Sequence, residues 1–209
     1  MRTIVPHVLQ HHLVALRMLL ACTLITGIAY PLLVTGIAQA GFSRQANGSM
    51  LTTNGRLVAS SLIGQNFALP KKNPNDAQEP LRPDPKWFQP RPSVGGYDPL
   101  NSGASNLGPN NTDLIKAVNN RRATVAAIEG IPPWSVPADA VTASGSGLDP
   151  AISPAYAYAQ AERVAKARHI ASAKVRDLVA QHVRGPVLGF LGQQHVNVVE
   201  LNHDLARLI

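Results

Sequence analysis

MLLACTLITGIAYPLLVTGIA, residues Met18 to Ala38, decides the architecture of this 209-residue chain. No side chain from Met18 to Ser43 is charged. As a helix these 26 residues reach about 39 Å at 1.5 Å per residue, and a bilayer core needs roughly 20 apolar residues. The run therefore reads as one transmembrane helix over 18–40, after a short tail at 1–17 and before an extramembrane domain at 41–209. Tyr30-Pro31 lies in its second half, where a missing backbone donor predicts a kink. Thr23, Thr26, Gly27 and Gly36 offer small surfaces for packing against other helices. Ala38-Gln39-Ala40 resembles a signal-peptide cleavage site, but the apolar run before it exceeds the usual h-region of roughly 7–15 residues. Arg2 and Arg17 precede the run, while Arg44 and Arg56 follow at greater distance. That small excess favours a cytoplasmic N-terminus and a domain on the far side.

Outside the run the composition is lean. Aromatics make up 5% and charged residues 15%, so the core must be built from Ala, Val, Leu and Ile. The net charge is +7, yet the basic residues are scattered and lack interleaved aromatics, which argues against nucleic-acid binding. The single cysteine, Cys22, lies inside the apolar run, so no disulfide forms within the chain. His7 and His11 have metal-ligand spacing but sit in the tail. His169, His182, His195 and His203 match no zinc pattern, so no metal is expected.

The domain reads as a mixture of elements. Residues 44–62 suggest short strands, with Asn54-Gly55 as a hairpin turn between MLTT and RLVAS. Residues 70–109 are rich in Pro, Asn, Gly and Ser and predict irregular structure. Apolar spacing predicts a helix over Thr112–Glu129, capped by Asn111 or Thr112 and ended by Gly130. Ser153-Pro154 should start a second helix, and a third should run over Ser172–Val183 until Gly185-Pro186. VNVVELNH, Val196–His203, alternates and reads as a strand. Helices and strands interleave without a βαβ repeat, so the expected fold class is α+β.

VTASGSGLDP, Val141–Pro150, is the stretch most open to a chemical reading. It lacks the lysine of a phosphate-binding P-loop, and Gly145-Ser146-Gly147 lacks the spacing of a nucleophile elbow. A helix start attracts anions, but Asp149 and Ser153 would compete for the same amides as caps. SGASNLGPNNTDL, Ser102–Leu114, has the same design, so the two loops are candidates to meet at one surface. Members of a Ser-His-Asp set need not be near in sequence, and nothing singles one out.

These pieces, in order, resemble a known family, the KdpC or C subunits of bacterial Kdp-type potassium-transporting ATPases. The resemblance is carried by Gln45-Ala46-Asn47-Gly48-Ser49, Ser60-Ser61-Leu62-Ile63-Gly64-Gln65, Trp87-Phe88 with Arg91-Pro92-Ser93, and Ser102 to Pro109. It continues through Val141 to Pro150, Ile152-Ser153-Pro154, Gln160 with Arg163-Val164-Ala165, Leu191-Gly192-Gln193 and Val196 to Asn202. It implies one spanning helix and one extramembrane domain in the bacterial inner membrane, with the domain periplasmic. It implies a non-catalytic subunit that assists assembly and promotes ATP binding by a catalytic P-type subunit, beside a potassium-binding pore subunit. No cofactor is expected to be held firmly, and ATP would act through the catalytic partner. Gln65 and Gln193 match the type of glutamine that the family discusses for nucleotide contact. Arg91, Ser93, Asn106, Ser144, Ser146, Asp149, Asn197 and Asn202 are the candidates for partner contact or loop shaping. The alternative expectation is a membrane-tethered periplasmic hydrolase.

Overall fold

The computed structural model describes residues 7–73, 75, 76, 79 and 81–208, with the side chains of His7 and Val8 outside that set. Two compact units divide the chain, Met1–Ser49 and Met50–Ile209.

The first unit is a helical rod. Helix α1 (His7–Cys22) passes into a π-helical segment (Thr23–Ala29) and then into α2 (Tyr30–Gly41). Within it, the 33 residues Leu9–Gly41 are apolar enough to cross a membrane, with a mean hydropathy of 1.9. About 1.5 Å per residue makes that segment close to 50 Å long, more than a hydrocarbon core of about 30 Å requires. The irregularity expected at Pro31 takes the form of the π segment. The Tyr30 N–H reaches back five residues to the Ile25 carbonyl, and Pro31 falls in the first turn of α2, where its missing donor does least harm. Thr26 Oγ1 adds a 2.7 Å bond to the Cys22 carbonyl. The helix begins by His7, so most of the expected tail is helical, and residues 1–6 lie outside the described set. The expected start of strand structure at Arg44 is corrected: Ser43–Ala46 form one helical turn, α3, which Asn47 closes by donating to the Ser43 carbonyl at 2.7 Å.

The second unit is the head. It opens with the antiparallel hairpin of β1 (Met50–Thr53) and β2 (Arg56–Ser60), with Met50 opposite Ser60 and Thr53 opposite Arg56 and the register shifting by one residue between Leu51 and Thr52. Asn54 and Gly55 both have positive φ, 51° and 76°, as a two-residue turn of the right hand requires. From Ser61 to Asn111 the described residues form no helix or strand, only a bridge between Ala68 and Pro83. Helix α4 (Thr112–Glu129) follows, with the Asn111 carboxamide accepting from the Asp113 and Leu114 N–H groups and Gly130 left-handed at its end. Two 3₁₀ turns, Pro133–Ser135 and Ala138–Ala140, lead to β3 (Ala151–Ile152) and α5 (Pro154–Arg168). Then come α6 (Ser172–His182), β4 (Val183–Arg184), β5 (His195–Asn197) and α7 (Val198–Leu205). The three short strands pair antiparallel in the order β3-β5-β4. The architecture is α+β, as expected.

VNVVELNH departs from its expected strand. Only Val196 and Asn197 are extended, and the remainder is α7. The Asn197 carboxamide accepts from the Val199 and Glu200 N–H groups and turns the chain into a helix. Val198, Leu201 and Leu205 then lie on one buried face, a spacing that alternation over a few residues mimics.

The core lies where α5, α6 and α7 pack with the β3-β5-β4 sheet. It is made of Ala157, Ala161, Val164, Val175, Val179, Val196, Leu201 and Leu205, with the ring of Phe88 fully buried among them. Phe88 is the one aromatic side chain that the irregular segment delivers to full burial. Asp204 joins three elements, because His182 Nε2 and His203 Nδ1 lie 3.1 and 3.0 Å from its carboxylate while His203 Nε2 faces the Thr52 carbonyl.

Candidate functional site

Between Ser61 and Asn111 the described residues lack the pairing of helices and strands, and buried backbone groups must find other partners. In this head several of the partners are side chains. Asn202 donates to the Phe88 carbonyl at 2.9 Å and accepts from the Phe88 N–H at 3.0 Å. Gln160 does the same for the next residue, accepting from the Gln89 N–H at 2.6 Å and donating to its carbonyl at 3.1 Å. Two carboxamides thus stand in for a neighbouring β-strand. Arg163 extends the clamp, with Nη1 donating to the Pro85 and Trp87 carbonyls at 2.8 and 3.1 Å. Arg168 donates to the Lys86 and Leu205 carbonyls, and its guanidinium stacks 4.3 Å from the centroid of the Trp87 ring.

Arg163 also holds Glu129 of α4 with contacts of 2.9 and 3.1 Å, and this pair is nearly sealed from solvent. Burial pushes the Glu129 carboxyl above its usual range, and Arg163 opposes that push. Burial likewise raises the Tyr156 and Tyr97 hydroxyls, so both stay protonated.

The second cluster is built from the loops at 91–103 and 142–149; of the expected partner loop Ser102–Leu114, Ser102 and Gly103 take part. Arg91 Nη1 donates to Asp149 Oδ2 at 3.2 Å, and Arg91 also reaches the Thr142 carbonyl. Ser93 Oγ donates to the Gly147 carbonyl at 2.7 Å and accepts from the Tyr97 N–H at 3.0 Å. The Ser102 hydroxyl and the Gly103 N–H both donate to the Ser146 carbonyl, at 3.1 and 2.8 Å. Ser144 Oγ accepts from the Gly147 N–H, and Ser146 Oγ accepts from the Leu148 N–H. Gly147 has φ +68°, and a Cβ there would stand 2.8 Å from the Gly103 carbonyl oxygen, so only glycine fits this crossing. Of the two caps expected at the start of α5, Ser153 serves and Asp149 does not. Ser153 caps α5 by accepting from the Tyr156 N–H, while Asp149 turns back to the Ala151 N–H and to Arg91.

Among the sequence candidates, the structure brings Arg91, Ser93, Ser144, Ser146 and Asp149 into this one cluster. Asn197 bonds elsewhere: it is buried, caps α7 and donates to the Ser61 carbonyl at 2.7 Å. Asn202 belongs to the clamp around Phe88 rather than to the surface. Asn106 stands apart, exposed, with φ +53°. Gln65 and Gln193 are not brought together. Gln65 donates to the Val58 carbonyl and lines a depression with Ser60, Gly64 and Tyr97. Gln193 is exposed and lines another with Arg91, Asp139, Asp149 and His195. The first depression is lined by neutral side chains, and in the second Arg91 faces the carboxylates of Asp139 and Asp149. Another cleft, of about 570 Å³, opens between α4 and the 90–97 loop, with Val125, Ile128, Glu129, Tyr97 and Tyr156 on its walls. No group of three or more metal-ligating side chains occurs among the described residues.

Sequence reasoning passed over Gln160, Arg163, Glu129 and Tyr97 as site residues. One signal was available for Gln160. It shares the α5 face of Ala157, Ala161 and Val164, and a carboxamide on a buried stripe needs a partner.

Residues 12–207 match the family model described as KdpC, the K⁺-transporting ATPase c chain. The chain is 49% identical over 207 residues to the potassium-transporting ATPase KdpC subunit of Streptomyces avermitilis, covering 93% of this chain and 92% of that one. It is 49% identical over 189 residues to the subunit of that name from Kineococcus radiotolerans, covering 90% and 88%. To the Mycobacterium tuberculosis subunit it is 46% identical over 197 residues, covering 93% and 96%.

Proposed function

Because the chain belongs to the KdpC family of K⁺-transporting ATPase c chains, we propose that it is the non-catalytic accessory subunit of a high-affinity potassium import complex. In that role it assists assembly and promotes ATP binding and hydrolysis by the catalytic P-type subunit, beside a potassium-binding pore subunit. Its rod anchors it in the inner membrane with the N-terminus cytoplasmic and the head periplasmic. ATP is then held by the catalytic partner, on the other side of the bilayer from the head.

One observation carries this reading. The polar side chains of the two clusters are spent on the chain's own backbone or on one another. Arg91, Ser93, Ser144, Ser146 and Asp149 each fix a loop carbonyl, a loop N–H or one another, and none is paired as nucleophile and base. Such an arrangement supports a rigid docking face. A membrane-tethered hydrolase is not favoured, since the relatives named above are all described as transport subunits.

The test is reconstitution. Replacing Ser144 and Ser146 by alanine should lower the yield of intact complex and lower ATPase activity only in proportion. Loss of ATPase in a complex of normal subunit ratio, with K⁺ binding unaltered, would sink the accessory reading. Protease protection in intact and inverted vesicles checks the sidedness.

A further inference from the structure

Between β4 and β5 the chain makes a tight turn that no element of the head covers. Val187 and Leu191 form an antiparallel bridge, with the N–H of each donating to the carbonyl of the other at 2.9 Å. Gly189 N–H closes on the Pro186 carbonyl at 3.1 Å. On this frame four apolar side chains face outward: Val187 is 65% exposed, Leu188 80%, Phe190 73% and Leu191 51%. Leu188 is held at φ +54°, a left-handed conformation that leucine rarely adopts and that asparagine or glycine would fill with less strain. The backbone is thus shaped to present a large apolar side chain at the tip of a turn, where folding alone favours a small or polar one.

We propose that this turn, Pro186–Leu191, inserts into the interfacial layer of the bilayer that holds the chain's own helix. Three observations favour lipid over a protein pocket. The ten residues Gly185–Gln194 contain no charged side chain, so the turn lacks the polar and charged rim that borders protein interfaces. Its content, one aromatic ring among branched aliphatics, is the composition that settles at the headgroup boundary. Only eight residues, 42–49, separate the end of α2 from the first strand of the head, and four of them are the helical turn α3. So short a tether keeps the local concentration of lipid high, and shallow insertion of a few side chains is then enough to hold a face of the head on the membrane. At the foot of the turn, Arg184 is ion-paired with Glu200, which lowers the cost of bringing that charge to the bilayer surface. The proposal rests on the membrane reading of Leu9–Gly41 and gives the head a second, reversible contact with the same bilayer.

The experiment uses the full chain in lipid nanodiscs with an environment-sensitive fluorophore. One sample is labelled at the native Cys22, in the rod; the other carries Cys22→Ser with Val187→Cys and is labelled there. Lipids carrying a nitroxide near the headgroup should quench the position-187 probe at least twofold, and lipids carrying it along the acyl chain should quench the Cys22 probe. Adding Leu188→Asp and Phe190→Asp should return that probe to the emission of a solvent-exposed label. If Cys22 is quenched and position 187 is not, the rod spans and the turn does not insert, which overturns this proposal alone. If Cys22 is not quenched either, the membrane reading itself fails. If position 187 becomes shielded only when the other subunits are added, without lipid quenching, the occupant is a protein pocket and the proposal is wrong.

Discussion

Replacing Asn202 by leucine keeps the size and branching of the side chain and removes both of its hydrogen bonds to Phe88. Asn202 is 2% exposed and Phe88 0%, so water cannot reach the freed Phe88 N–H and carbonyl. Each buried group left without a partner costs about 1–3 kcal/mol, so the two together cost roughly 2–6. Leucine recovers part of this through its own apolar burial, and a net loss of about 3 kcal/mol is expected. A domain of this size has a stability of roughly 5–15 kcal/mol, so the loss is a large fraction of the whole. The two tryptophans of the chain, Trp87 and Trp134, are both in the head, so fluorescence reports the head and not the rod. Trp134 is 86% exposed, and Trp134→Phe leaves Trp87, one residue before Phe88, as the sole reporter. In mild detergent, with a urea slope of about 2 kcal/mol/M, Asn202→Leu should lower the midpoint by about 1.5 M. Asn202→Asp should also destabilise, because its second oxygen meets the Phe88 carbonyl without a proton to donate. A shift under about 0.3 M for Asn202→Leu would refute the claim that this carboxamide replaces a β-strand partner.

Gly147→Ala should destabilise the head by about 2–3 kcal/mol, through positive φ and the clash with the Gly103 carbonyl. Gly145→Ala, with open space around it, should lie within about 0.5 kcal/mol of the parent in the same urea titration. Glu129 gives a signed pH effect. Its folded carboxyl titrates above the usual 4.5, so between these two values the folded head keeps a proton that the unfolded chain has lost. Stability should therefore fall as pH rises through that window and level off above it, and Glu129→Gln should flatten this slope in urea midpoints taken from roughly pH 4 to 7. Arg163→Met, which leaves Glu129 buried and unmatched, should cost about 3–5 kcal/mol and steepen the fall. Arg91 and Asp149 are about a quarter to a third exposed, so a double-mutant cycle between them should return only about 1 kcal/mol.

What the sequence determined by itself was local. The uncharged run, the Asn54-Gly55 turn, the Asn111 and Ser153 caps and the left-handed Gly130 depend on residues within a turn of one another. Tertiary context neither creates nor removes such signals. The SGSG and SGASN loops were visible as shaped turns, and so as candidates to meet. The crossing that joins them, with no room for a Cβ at Gly147, belongs to the folded head. Tertiary structure alone decided how residues 61–111 are held. Asn202 reaches Phe88 across 114 residues, and Gln160 reaches Gln89 across 71. No periodicity marks such pairs, because a carboxamide matches any backbone peptide and is told which one only by where the packed helices place it. The same ambiguity hid α7. Valines and leucines over eight residues satisfy a strand and a helix alike, and the choice fell to the Asn197 cap and to the core that Val198, Leu201 and Leu205 had to fill.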